Sequence, residues 1–149
     1  GLGPTKATEV IAAMELGKRL LREKEHLKAI SPQAVYESLR EISQNKKEHF
    51  IALYLDTRQQ EIAREVISIG ILNASLVHPR EVFEPAVKYL ANSVIVVHNH
   101  PSGDPTPSHE DVLVTKQLKD AGKLLDIALT DHLIITKNGY LSFREHGLV

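Results

Sequence analysis

Four β-branched residues in a row, Val94-Ile95-Val96-Val97, follow Ser93 and run directly into a stretch punctuated by Pro101, Gly103, Pro105 and Pro107. A run this short, apolar on both sides and closed by turn formers, reads as a strand with both faces covered. A strand of that kind needs packing layers above and below it, and the flanking pattern supplies them. Pro79 opens a helix carrying Val82, Phe83, Val87 and Leu90, and a longer helix runs from Ser108 to about Leu125. Upstream, Phe50, Ala52 and Tyr54 alternate with His49, Ile51, Leu53 and Leu55, a second strand apolar on both sides and therefore central. A turn at Thr57 to Gln60 returns the chain as a strand over Glu61 to Ile71, forming a hairpin with the first. After the long helix, Ile127 to Thr136 reads as a strand, and Asn138-Gly139 turns it back through Tyr140 to Phe143. The order strand, strand, helix, strand, helix, strand, strand predicts the α/β class: a mixed β-sheet flanked by helices.

A short helical segment precedes this sheet. Val10, Ile11, Met14, Leu20 and Leu21 recur at helical spacing from a cap at Thr5 up to the charged stretch Arg22 to Lys28. A second helix starts at Ser31-Pro32, with Val35, Leu39 and Ile42 as its stripe. The polar run Ser43 to Lys47 then divides residues 1–47, a helical N-terminal segment, from residues 48–149, the sheet-forming domain. Charge divides at the same place. Residues 1–47 hold nine Lys/Arg against six Asp/Glu, and the remainder holds nine against thirteen. The near-cancelling total argues against nucleic-acid binding by bulk charge. No apolar run is long enough to cross a bilayer and no signal core opens the chain, so a cytoplasmic protein without membrane association is expected.

The chain has eight His and no Cys, so any metal must be held by nitrogen and oxygen. His98 and His100 end the buried strand on either side of Asn99, and strand alternation sends both imidazoles to one face while Asn99 points away. Asp111, eleven residues after His100, can be brought back by the Pro/Gly-rich loop as a third ligand. Two His and a carboxylate around zinc leave one position for water, the arrangement of a catalytic site. Each element also has a plainer reading. Ser108-x-x-Asp111 fits a capping box, and two His at a strand end can simply be hydrogen-bonded. The conjunction favours the metal, because capping does not require paired His before a rigid loop.

The string His98-Asn99-His100-Pro101-Ser102-Gly103-Asp104-Pro105-Thr106-Pro107-Ser108, followed by Asp111, resembles the signature of JAMM (MPN+) metalloproteases, and more narrowly that of the bacterial RadC family. The similarity runs from about Glu48 to Val149 and includes Val77-His78-Pro79-Arg80-Glu81-Val82 and Asp131-His132-Leu133-Ile134. The resemblance implies a JAB/MPN-like fold and one Zn2+ per chain, held by His98, His100 and Asp111. It implies a polypeptide or other amide substrate, with Ser108 bonding the oxyanion. It also implies a glutamate general base on the first strand, where Glu48 stands. Beside Lys46 and Lys47, Glu48 also reads as a solvated charge, and Glu61 and Glu65 are the reserve candidates. His132, next to Asp131, is a candidate for orienting a metal ligand or an ordinary core histidine; His109 sits outside the ligand pattern.

Gly1-Leu2-Gly3-Pro4-Thr5 resembles the hairpin and second-helix start of a helix-hairpin-helix element, which in RadC-family proteins precedes the catalytic domain. DNA is accordingly an expected partner through a complete element, and a repair or recombination factor whose MPN domain is an interaction platform is the rival class; the same residues also read as a glycine turn before a packing helix. An HNH nuclease is excluded, since three adjacent strand residues cannot fill roles spread over a hairpin and a helix. Nothing in the pattern specifies an oligomer.

Overall fold

The computed structural model describes residues 3–26, 30–70 and 77–149. Among these residues, five strands, β1 (Glu48–Leu55), β2 (Glu61–Gly70), β3 (Ser93–Asn99), β4 (Ala128–Thr136) and β5 (Gly139–Ser142), form one mixed sheet in the order β2-β1-β3-β4-β5. Only β3 and β4 run parallel; the other neighbours are antiparallel. The described residues also form four helices, α1 (Pro4–His26), α2 (Pro32–Ser38), α3 (Pro79–Lys88) and α4 (His109–Leu125), with a 3-10 turn at Arg40–Gln44. The fold class expected from the pattern is therefore found. All seven residues of β3 are buried, as a β-branched run with layers on both sides requires.

The alternation decides which layer each residue joins. Phe50, Ala52 and Tyr54 of β1 and Val94 and Val96 of β3 pack with Val82, Phe83 and Ala86 of α3 and with Val114 and Leu118 of α4. On the other face, Ile51, Leu53 and Leu55 join Ile95, Val97, Leu133 and Ile135 beneath Val35 and Leu39. Helix α2 starts as its sequence indicates, with the Ser31 hydroxyl accepting the Ala34 N–H at 3.1 Å and Pro32 at the first helical position. The helical residues before the polar run thus share a core with the strands after it.

Some helical expectations need correcting. Helix α1 opens at Pro4, with the Gly3 carbonyl accepting the Ala7 N–H, so Thr5 lies inside the helix and is not its cap. The helix also continues through the charged stretch to His26. Its apolar residues Val10, Ile11 and Met14 are exposed by 48, 67 and 60%. Leu2, Lys28 and Ile71, and the side chains of Thr5, Leu20 and Leu21, lie outside what the structure describes. Helix α3 ends at Lys88, not at Leu90. The Ala91 N–H returns to the Ala86 carbonyl and Leu90 takes φ 55°, a left-handed closing turn that leaves Leu90 in solvent. Among the described residues no helix is long and apolar enough to cross a membrane.

The end of α4 is held by a close approach that only glycine permits. A Cβ on Gly122 would lie 2.4 Å from the Ile127 carbonyl oxygen and 3.1 Å from the Phe83 ring. The same carbonyl region carries the turn into β4, since the Ile127 N–H bonds to the Gly122 carbonyl. Gly122→Ala should therefore destabilise the protein by about 1–3 kcal/mol, against the small gain an alanine brings to an open helix. Urea denaturation of the two proteins measures this, and an unchanged midpoint would show that the turn yields freely.

Candidate metal centre

Strand β3 delivers two imidazoles to the face shared with α3 and α4. His98 is fully buried and lies opposite Phe50 across the β1/β3 ladder, its ring stacked on the Phe50 ring at 6.0 Å between centroids. His100, just past the strand end, is partly exposed, and its Nε2 is 2.9 Å from Nε2 of His98. Asn99 points to the other face, as alternation demands, and is buried there. Its Oδ1 accepts the His49 N–H at 2.8 Å and its Nδ2 donates to the Lys47 carbonyl at 3.2 Å. Asn99 thereby clamps the peptides on both sides of Glu48, a role the sequence pattern did not indicate.

The loop Pro101–Pro107 positions the third group. Gly103, at φ 86°, donates its N–H to the His100 carbonyl, and the Asp104 carboxylate accepts the Thr106 N–H at 2.9 Å. These turns bring the Asp104 carbonyl within 2.8 Å of His100 Nδ1. A carbonyl only accepts, so Nδ1 carries the proton and a neutral His100 has its lone pair on Nε2. The loop ends in a capping box: the Asp111 N–H bonds to Ser108 Oγ at 3.1 Å, and the Ser108 N–H bonds to Asp111 Oδ2 at 2.7 Å. Capping and the cluster prove to be compatible uses of one carboxylate. Asp111 Oδ1 lies 3.2 Å from His98 Nε2, and Oδ2 lies 3.5 Å from His100 Nε2.

Among the described residues, His98, His100 and Asp111 each offer one ligand atom within 4.8 Å of the others. The chemistry of this set fits a cation. Carboxylate oxygens and the bare Nε2 of a neutral His100 are acceptors, and acceptors that converge in a buried space repel one another until a positive charge joins them. The titration behaviour expresses the same demand. Burial opposes ionisation of Asp111, yet the imidazoles of His100 and His98, which donate to it whenever Nε2 carries a proton, and the Ser108 N–H hold its carboxyl well below the usual carboxylate range. Burial also works against protonated His100, but its bonds to Asp111 and to the Asp104 carbonyl outweigh this and raise its pKa. For His98 burial wins, and its pKa falls.

The other candidates fall into place around this cluster. Glu48 opens β1, half-buried, two residues before Phe50 and so on the face that carries His98. Its charge favours the protonated form of both imidazoles, adding to the rise for His100 and opposing the larger effect of burial at His98. A cleft lined by Lys46, Lys47, Glu48, Gly70 and Pro101 opens beside it. The structure does not bring Glu61 and Glu65 to the cluster. Glu61 pairs with Leu55, seven residues along β1 from Glu48, roughly 23 Å at 3.3 Å per residue, and is held by Arg64. Glu65, opposite Ala52, accepts the Tyr89 hydroxyl at 2.6 Å. His109 is exposed at the start of α4. His132 is fully buried and touches the cluster directly: its Nε2 lies 2.8 Å from His98 Nδ1. Phe143 stacks on its other side at 4.6 Å. Its Nδ1 meets Thr115 Oγ1 at 2.6 Å, a partner seventeen residues away that no sequence spacing suggested.

Comparison with known proteins agrees with this architecture. A family model described as a RadC-like JAB domain matches residues 29–148. A "UPF0758 protein" of Geobacillus thermodenitrificans is 49% identical over 100% of this chain and 67% of its own length. A "UPF0758 protein" of Methanosarcina mazei is 49% identical over 100% of this chain and 66% of its own. The chain thus spans about two thirds of the length of these curated relatives. With a matching sheet, a matching domain model and relatives this similar, the chain belongs to the RadC family and carries its JAB domain.

Proposed function

We propose that this chain is a zinc-dependent metallohydrolase of the JAMM type, cleaving a peptide or isopeptide amide bond. The observation that carries the reading is the convergence of His98, His100 and Asp111 at one end of the sheet, with Glu48 on the same face and Ser108 beside the third ligand. His98 Nε2, His100 Nε2 and the Asp111 carboxylate would hold the ion. Zinc held there would supply a Lewis acid and would lower the pKa of a water bound to it. Glu48 acts as general base, taking a proton from the attacking water and passing it to the departing amine. Ser108 Oγ already accepts the Asp111 N–H, so its own proton is available to the oxygen that gains charge as the carbonyl is attacked. The cleft beside Glu48 is the approach for the substrate chain.

Zinc analysis of protein purified under zinc-replete conditions should give one ion per chain, and Glu48→Gln should keep that ion. A panel of fluorogenic peptides and isopeptide-linked conjugates then reads hydrolysis, which the Glu48→Gln variant should lose by a factor of about 100 or more. Protein that retains no zinc would sink the metal reading. Undiminished turnover in the variant would remove Glu48 as the base.

A further inference from the structure

A chain of hydrogen bonds runs behind the cluster, and its polarity can be assigned atom by atom. Thr115 lies one turn after Asp111 on α4, is buried, and places Oγ1 2.6 Å from the Asp111 carbonyl oxygen. Two oxygens at that distance need a proton between them, and only the hydroxyl has one. The hydroxyl's single proton is therefore committed to Asp111. The second contact of Thr115 Oγ1, at 2.6 Å from His132 Nδ1, must then be an N–H···O bond donated by the imidazole. A neutral His132 protonated at Nδ1 has a bare Nε2, and this atom lies 2.8 Å from His98 Nδ1, which must in turn donate. His98 is left with its lone pair on Nε2, the atom 3.2 Å from Asp111 Oδ1 and 2.9 Å from His100 Nε2.

We propose that Thr115 is a positioning residue whose hydroxyl fixes the tautomers of His132 and His98, so that His98 presents a bare Nε2 to the ligand cluster. The chain of bonds joins the ligand of β3 to the ligand of α4 through one residue of β4. His132 stands opposite Val96 in the parallel β3/β4 ladder, two residues short of His98's own partner Ile134, which sets its ring beside the His98 ring at 4.9 Å. The backbone of one ligand thus dictates where the proton sits on another. His100 obtains the same result independently, from the Asp104 carbonyl. This proposal rests on the metal reading only for its consequence; the tautomers themselves are a property of the metal-free protein.

The test uses the whole chain with 15N-labelled histidine. Long-range 1H–15N correlation on the metal-free protein should place the proton of His132 and of His98 on Nδ1. Thr115→Val keeps the side-chain shape and removes the hydroxyl, leaving a buried Nδ1–H without an acceptor. His132 should then move its proton to Nε2 and drive His98 to the Nε2–H form, which blocks the ligand atom. Zinc affinity, read by competition with a chromogenic chelator, should fall about 10- to 100-fold. Thr115→Ser should restore both the tautomers and the affinity, which a purely steric role for the methyl group would not do. If Thr115→Val does not fold, Thr115→Ala carries the same comparison. Nε2–H on His98 or His132 in the wild type, or unchanged tautomers without the hydroxyl, would overturn the proposal. Correct tautomers in a protein that binds no zinc would instead refute the metal reading and leave the hydrogen-bond chain standing.

Discussion

His98→Ala and His100→Ala should both lose zinc, yet only the first should also lose much of its metal-free stability. Zinc held by nitrogen and sulfur ligands in small domains is worth about 10–16 kcal/mol, so one of three protein ligands accounts for about 3 kcal/mol or more, a hundredfold or greater loss of affinity. On this measure the two variants are alike. They differ in what the imidazole does without metal. His98 is fully buried, stacks on Phe50 and donates to His132. Its removal leaves a cavity and a buried His132 Nε2 with no donor, together costing about 3–4 kcal/mol. His100 is partly exposed at the strand end, and its removal frees the Asp104 carbonyl to meet water, which should cost about 1 kcal/mol or less. Chelator competition gives the affinities, and urea denaturation in EDTA gives the stabilities. Equal stability loss in the two variants would contradict the difference in burial; retained zinc affinity in either would remove that residue as a ligand.

The parts of this site that were legible in the sequence are those set by local geometry. Period-two alternation is enough to put His98 and His100 on one face and Asn99 on the other, and the Ser-x-x-Asp spacing is enough to place Asp111 in the first turn of α4. The same holds for the β-branched core of β3 and the Ser31-Pro32 start of α2. What depended on non-local packing stayed hidden. Whether Glu48 or Glu61 lies near the histidines is decided by the β1/β3 register, which pairs Phe50 with His98 and leaves Glu61 at the opposite end of β1. Thr115 meets His132 only because α4 packs across β4, and the Asn99 clamp exists only because β1 begins beside the end of β3. Helical spacing had a different gap. It identified Val10, Ile11 and Met14 as neighbours on α1 but could not say what, if anything, covers them, and in the structure they are exposed.

Asp131 offers the second large effect, and it acts at a distance from any ligand. Asp131 precedes His132 in β4, and because adjacent strand residues face opposite ways the two side chains do not meet. Asp131 is fully buried and accepts three bonds: the His132 N–H at 2.8 Å, the Arg144 N–H at 3.0 Å and the Ser142 hydroxyl at 2.6 Å. Together they fasten the turn after β5 onto β4. That turn carries Phe143, whose N–H bonds to the His132 carbonyl and whose ring stacks on His132, the residue that supports His98. Asp131→Ala removes all three acceptors at once while the His132 N–H and the Ser142 hydroxyl stay buried. At about 1–3 kcal/mol for each stranded group, the loss should be about 4 kcal/mol, a large share of the 5–15 kcal/mol that holds a typical domain. For a chain of this size that corresponds to a fall of about 10 °C in melting temperature. Asp131→Asn keeps one oxygen acceptor and the side-chain volume, so it should recover at least half of the loss. If calorimetry of the metal-free variants instead shows alanine within about 1 kcal/mol of the wild type, the turn is held by Phe143 packing alone. His132 would then owe its orientation to Thr115 and not to the C-terminal turn.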